Sequence, residues 1–294
     1  MKDIIKGLRE FQTSYVSAHW ELLEQLSHGQ KPKVLFITCS DSRIDPCLIT
    51  QADLGELFVI RNAGNIIPPY GAANGGEGAT VEYAIHALGI EQIIVCGHSH
   101  CGAMKGLLQL NKLQEEMPLV YDWLKHTEAT RRLVKESYGS YDKEQLLEVM
   151  IAENVLTQIE NLQTYPVIHS RLYQGKLRIY AWIYMIETGE VMAYDPETHC
   201  YIPPQSQIQE TSSGAAVPER YFTTLEASPV ACQLNPKYPQ PAALSPTPTH
   251  TTSSNGDRPA AENRPAASQE ATSSMPWLSP EQAERIYRGT ARRR

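Results

Sequence analysis

The sequence predicts an α/β fold: a mostly parallel β-sheet with an antiparallel edge strand, flanked by helices. An N-terminal helical arm precedes it and a disordered C-terminal extension follows. Three observations carry this expectation. Short apolar runs at residues 34–38, 57–60, 92–96 and 177–185 have the length and composition of buried strands. Segments of helical periodicity separate the first runs, as parallel neighbours require. The last run leads through Glu187-Thr188-Gly189-Glu190, a turn sequence, into a second run at residues 191–194, which makes a closing hairpin.

The elements follow in order. Ile4, Ile5, Leu8, Phe11 and Tyr15 recur at helical spacing, so residues 1–20 read as an amphipathic helix. A second helix is expected over 18–26. After strand 57–60 comes the loop Arg61-Asn62-Ala63-Gly64-Asn65, and residues 71–78 form a glycine-rich loop before a helix at 80–88. That loop lacks the lysine and the spacing of a phosphate-binding loop, so a turn is the expectation. A helix begins near His100. Pro118 interrupts the pattern, and helices are expected at 119–137, 143–163 and 167–173.

Composition narrows the function. The 294 residues are 41% hydrophobic, enough for a sizeable core, and a net charge of -7 argues against nucleic acid as a partner. No apolar run approaches the roughly 20 residues of a membrane span, and no secretory leader is visible at the start. Six cysteines in a chain this long do not make a disulfide framework. A reduced, cytoplasmic, metal-binding protein is expected.

The chemistry concentrates at two strand ends. Cys39-Ser40-Asp41-Ser42-Arg43 follows the first strand, and Gly97-His98-Ser99-His100-Cys101-Gly102 follows the third. Ligands of open α/β sheets bind at such carboxyl ends. Cys39, His98 and Cys101 can therefore meet, and two thiolates with an imidazole suit zinc, with a fourth position left open for catalysis. On the first turn of a helix, His98 and Cys101 would share a face. Asp41 and Arg43 point the same way if the segment is extended. Asp41 could accept a hydrogen bond from a water on the ion, with Arg43 holding the carboxylate ionised, or it could bind the ion itself. Cys-x3-Arg excludes a Cys-x5-Arg phosphatase loop. Cys47, Cys96, Cys200 and Cys232 read as packing or incidental thiols.

Cys-Ser-Asp-Ser-Arg, Arg-Asn-Ala-Gly-Asn and Gly-His-Ser-His-Cys-Gly together resemble the hallmark motifs of the β-class carbonic anhydrases over residues 1–204. The resemblance implies reversible hydration of CO2 to bicarbonate, one zinc per subunit on Cys39, His98 and Cys101, and an Asp41–Arg43 dyad. It also implies a substrate pocket of Gln30, Phe58, Ala63 and Tyr83. Phe58 and Tyr83 would come from the partner subunit of a homodimer or a larger assembly of dimers. Ala63 stands where the family often has valine, so the lining there is expected to differ slightly from the family's. The alternative from another class is a zinc-stabilised assembly subunit with little catalysis, against which the dyad and the open position speak. A metal-dependent hydrolase of another substrate is a third, weaker reading.

After residue 204 the composition changes. Residues 205–274 are rich in Pro, Ser, Thr and Ala, with Leu244 the only large apolar residue between 239 and 274, and read as a disordered linker. Residues 275–294 read as a docking peptide: Ser279, Pro280 and Gln282 make a helix start, and Trp277, Leu278, Ile286 and Tyr287 supply apolar contacts. Arg285 and Arg288 belong to five arginines set against two glutamates. This segment is similar to the tail of cyanobacterial carboxysomal β-carbonic anhydrases, which implies a place inside the carboxysome. It also implies a scaffold partner bearing a γ-carbonic-anhydrase-like domain.

Overall fold

The computed structural model describes residues 1–73 and 75–204. Within them lie strands β1 (Val34–Cys39), β2 (Leu57–Asn62), β3 (Gln92–His98), β4 (Arg178–Tyr184), β5 (Val191–Asp195) and β6 (Cys200–Ile202). They form one sheet in the order β2-β1-β3-β4-β5-β6. The first four in that order run parallel, and β5 and β6 are antiparallel. The antiparallel edge is thus two strands wide, because a turn at Thr198 and His199, the latter left-handed with φ 54, folds the chain back once more. The near-continuous burial of β1 and β3 is that of strands covered on both faces. The predicted linker (205–274), the docking peptide (275–294) with Trp277, Leu278, Arg285, Ile286, Tyr287 and Arg288, and Cys232 lie outside the described residues.

The arm is helical: α1 (Lys2–Glu10) passes through a π-turn (Phe11–Tyr15) into α2 (Val16–Ala18) and α3 (Trp20–Ser27). None of its residues is buried, and Ile4, Ile5, Leu8, Phe11 and Trp20 leave an apolar stripe uncovered in the single chain. The short α4 (Pro46–Thr50) follows β1, capped by Asp45, whose carboxylate accepts from the Leu48 N–H at 2.9 Å. The glycine-rich stretch is shorter than expected, since α5 (Gly76–Glu82) starts inside it and runs on through a π-turn (Tyr83–Ala87).

Helix α6 (Gly102–Leu108) begins two residues later than expected, because His100 is left-handed, with φ 56. Helix α7 (Leu110–Glu116) precedes Pro118, which opens α8 (Pro118–Leu124) at a position where a missing N–H costs nothing. The helix expected over 119–137 is two helices, α8 and α9 (Glu128–Ser137), joined by a 3-10 turn (Lys125–Thr127). Thr127 in that turn is fully buried and donates its hydroxyl to Asn154 Oδ1 at 3.0 Å, which fixes the break.

The long α10 (Lys143–Gln163) has the expected bounds and opens on a capping box between Asp142 and Gln145. It packs on β3 and β4, and Gly97 admits it there, since a Cβ would lie 2.8 Å from Val155 Cγ2. One stripe of α10 and its continuation holds the loop after β2. Asn154 Nδ2 donates to Gly64 O at 3.0 Å, Gln158 Oε1 accepts from Ile67 N at 2.9 Å, and Asn161 Nδ2 donates to Ile67 O at 2.9 Å. The Tyr165 hydroxyl donates to Pro68 O at 2.9 Å. Helix α11 (Pro166–Tyr173) then leads into β4.

One buried group on α10 ties stability to pH. Glu153 is 2% exposed, its Oε1 lies 3.4 Å from the Tyr138 hydroxyl, and burial pushes its carboxyl up from 4.5 to about 7. Between those values the unfolded chain releases its proton first, so stability falls as pH rises through the window and stays lowered above it. Glu153→Gln keeps the shape without the charge. Relative to the parent it should gain up to about 3 kcal/mol at pH 8, a gain that shrinks toward pH 5. Urea unfolding at both pH values and matched protein concentration measures this.

Candidate metal centre and active site

The site is built where β1 and β3, neighbours in the sheet, both end. Cys39 is the last residue of β1 and His98 the last of β3. Cys101 stands at the N-cap of α6 in an extended conformation. His98 and Cys101 therefore do not share a helical turn. They are brought together by the sharp reversal at Ser99 and left-handed His100. The donor atoms of Cys39, His98 and Cys101 all lie within 4.8 Å of one another, and all three residues are buried.

The imidazole is oriented for a ligand. His98 Nδ1 lies 2.9 Å from Ser99 O and must donate to it, which leaves the lone pair on Nε2. That Nε2 is buried without a hydrogen-bond partner, one of two such side-chain atoms among the described residues, beside Asn65 Nδ2. The thiols are biased too. Hydrogen bonding from Cys101 pulls the Cys39 thiol down to about 4, helped by the Gly64 N–H at 3.4 Å, against the opposing effect of burial. Cys101 is pushed up by the same Cys39 thiolate and by burial, so the pair shares one proton. Cys96, buried in β3 without such partners, is pushed up to about 12 and stays a neutral packing thiol. An anionic sulfur, a second sulfur and an unpaired imidazole nitrogen fit a borderline-soft divalent ion such as zinc.

Asp41 and Arg43 sit beside this group, in a turn and not in extended chain. The Arg43 backbone N–H donates to Asp41 Oδ1 at 3.0 Å, Arg43 Nε to the same oxygen at 2.9 Å, and Nη2 to Oδ2 at 2.7 Å. The fork holds the Asp41 carboxyl well below the usual carboxylate range, so it is an obligate acceptor. Oδ2 lies 3.8 Å from His98 Nε2. The carboxylate thus borders the metal group while both of its oxygens are engaged by arginine.

The remaining expected residues are placed as follows. Phe58 on β2 and Tyr83, the first residue of the π-turn after α5, form an aromatic pair with ring centres 6.1 Å apart. Gln30 stands in the exposed stretch between α3 and β1. Ala63 adjoins Gly64, and its carbonyl accepts from Trp123 Nε1 at 2.8 Å. Cys47 is exposed on α4 and Cys200 lies in β6.

Several supporting residues were not expected. Arg61 donates to three carbonyls of the β1 end: Cys39 O at 3.1 Å, Asp41 O at 2.8 Å and Ile44 O at 2.8 Å. The Ser99 hydroxyl donates to Glu187 Oε2 at 2.6 Å and accepts from Ile186 N at 2.9 Å, which pins the His98 loop to the β4–β5 turn. Arg61 and Ser99 lie inside the motifs already singled out. Glu187 and Trp123 are 88 and 60 residues from their partners, and only the fold joins them.

Comparison with known proteins agrees with this geometry. A carbonic anhydrase family model matches residues 34–191. The chain belongs to the β-class carbonic anhydrases. A carbonic anhydrase of Synechocystis sp. is 54% identical over 99% of this chain and 100% of its own length. One of Pseudomonas aeruginosa is 43% identical over 69% of this chain and 91% of its own. The solved β-carbonic anhydrase CcaA has 67% sequence identity and a TM-score of 0.69, over 69% of this chain and 99% of that one. This carbonic anhydrase acts on CO2 and bicarbonate, and among its described residues no helix is long and apolar enough to cross a membrane.

Removing a donor of the metal group should remove the metal. Cys39→Ala and His98→Ala are each expected to purify with less than roughly a tenth of the zinc of the parent, since two donors no longer close a site. Elemental analysis of the purified proteins checks it.

Proposed function

We propose that this carbonic anhydrase binds one zinc per subunit through Cys39, His98 and Cys101, and supplies CO2 to carbon fixation inside a carboxysome. The observation that carries the catalytic part is the buried, unpaired His98 Nε2 facing two cysteine sulfurs, with an arginine-held carboxylate 3.8 Å away. Bound there, zinc would act as a Lewis acid that makes water nucleophilic near neutral pH. Two thiolate donors return more charge to the ion than histidines do, so activity should rise at a higher pH than with three histidine ligands.

The chain's own residues do the rest. Asp41 Oδ2 accepts a hydrogen from the attacking water and turns its lone pair toward CO2. Asp41 can do this because Arg43 keeps it ionised and fixes its plane. CO2 is held against apolar surface from Phe58, Tyr83 and Ala63, and the Gln30 amide hydrogen-bonds bicarbonate. Phe58 and Tyr83 serve the partner subunit's site, so the dimer is the catalytic unit. The uncovered apolar stripe of the arm supports such a dimer, because a second copy would bury it.

The region after residue 204 acts as an address. Residues 205–274 tether and residues 275–294 dock, through Trp277, Leu278, Arg285, Ile286, Tyr287 and Arg288, onto a carboxysome scaffold protein with a γ-carbonic-anhydrase-like domain. The match to the Synechocystis relative extends over 99% of this chain, whereas the match to the Pseudomonas relative covers 69% of it. The extension therefore has a counterpart in a cyanobacterial enzyme. Weak single tails on one oligomer would bind tightly together, and their arginines should make binding weaken with salt.

Two outcomes test this reading. Asp41→Asn should keep its zinc and lose roughly 10- to 100-fold in kcat/KM, because an amide can donate as well as accept and no longer enforces one water orientation. Stopped-flow hydration across pH, with zinc content measured on the same samples, distinguishes this from metal loss. Truncation after Pro204 should leave hydration near the parent's rate and abolish co-purification with carboxysomes. A truncated enzyme that still enters the compartment would remove the tail from the account.

A further inference from the structure

A hydrogen-bonded chain runs into the metal centre from α8. Trp123 Nε1 donates to Ala63 O at 2.8 Å, and the N–H of that same peptide unit, carried by Gly64, donates to Cys39 Sγ with an N···S distance of 3.4 Å. The peptide is trans, as are all those described, so its C=O and N–H point in opposite directions. A donor on one end and an acceptor on the other therefore polarise it in the same sense, and each bond strengthens the next.

The peptide has little freedom to do anything else. Gly64 is left-handed with φ 86, and a Cβ there would lie 2.8 Å from Met104 Cε. Its own carbonyl is held by Asn154 Nδ2 at 3.0 Å. The Asn62 amide brackets the far side of the turn, donating to Ile66 O and accepting from Ile66 N, both at 2.8 Å. Trp123 is steadied in turn by the edge-on ring of His126, 5.7 Å away, and by the fully buried Leu124 that follows it.

We propose that Trp123 is a positioning residue: through the Ala63–Gly64 peptide it aims and strengthens the N–H that draws charge from the Cys39 sulfur, and so tunes Cys39 as a donor to a metal. This rests on the zinc reading above. A thiolate gives charge to a metal and weakens it as a Lewis acid, whereas an N–H aimed at the sulfur takes part of that charge back. An indole N–H on the opposite end of the peptide makes that N–H a better donor. No proton is transferred along the chain, and every bond in it is an ordinary hydrogen bond.

Two substitutions separate the N–H from the bulk of the ring. Trp123→Phe keeps an aromatic ring and loses the donor. Trp123→His loses the benzo ring but keeps a ring nitrogen where Nε1 stood, and above pH 7.5 the neutral imidazole can still donate. Each protein is loaded with cobalt for the near-ultraviolet thiolate-to-metal charge-transfer band, and with zinc for the pH profile of kcat/KM. In Trp123→Phe the band should move to longer wavelength, and the profile should shift upward by about half a pH unit, a roughly threefold loss on the acid limb that vanishes on the alkaline plateau. Trp123→His should keep the parent's band and its profile above pH 7.5, even if it melts at a lower temperature. An unmoved band in Trp123→Phe, or equal displacement in both variants, overturns the proposal. If Trp123→Phe does not fold, Trp123→Leu, which also lacks the donor, takes its place under the same two outcomes. Failure of the unsubstituted protein to bind metal or to hydrate CO2 would strike the zinc reading itself. Loaded, active variants that match the parent would remove only the role of Trp123.

Discussion

The region around the strand ends is governed by one constraint: a buried nitrogen must be kept without a partner. His98 Nε2 has no hydrogen bond and no access to solvent. An orphaned polar atom of this kind costs on the order of 1–3 kcal/mol. It can be held only where the surroundings leave the ring no alternative. Ser99 O takes the other ring nitrogen, the Ser99 hydroxyl is tied to Glu187, and the strand beneath is paired on both sides. A cation held by Cys39, His98 and Cys101 would give that nitrogen a partner.

Charge is partitioned around that nitrogen in an orderly way. Of the two cysteines, Cys39 is pulled toward the thiolate and Cys101 is pushed the other way, each chiefly by its neighbour's sulfur. The carboxylate of Asp41 is held in a two-point fork by Arg43, with Oδ2 left able to accept one further hydrogen bond. Arg61, which could have made the same pairing, is spent on three backbone carbonyls. Two arginines near one turn therefore do different work: one sets the turn's shape and the other its acceptor.

Much of this was legible in the sequence because it depends on local patterns. The apolar runs gave β1 to β4, helical periodicity gave the bounds of α10, and the two cysteine-bearing strand ends gave the cluster of Cys39, His98 and Cys101. What escaped depended on contacts distant in sequence or on backbone forms that side chains rarely announce. The left-handed His100 replaced an expected helical turn, and Pro118, expected to interrupt the pattern just before a helix at 119, is itself the first residue of that helix. Buried Thr127 divided what periodicity read as a single helix. The short β6 carries only three residues, too few for alternation to register. Trp123 and Glu187 reach the site across many residues, and an ordinary indole or surface glutamate gives no hint of that.

The ladder along α10 has a consequence for how this chain can change over time. Asn154, Gln158, Asn161 and Tyr165 read the loop after β2 one contact at a time, in the order in which the helix and its continuation present them. An α-helix turns by about 100° per residue. A single residue inserted or deleted between Asn154 and Tyr165 would leave the first rung in place and swing every later one away from its carbonyl or amide. A substitution at one rung removes that contact alone, whereas a change of length displaces every rung that follows it. Over these residues the count of the chain is held more strictly than any single letter.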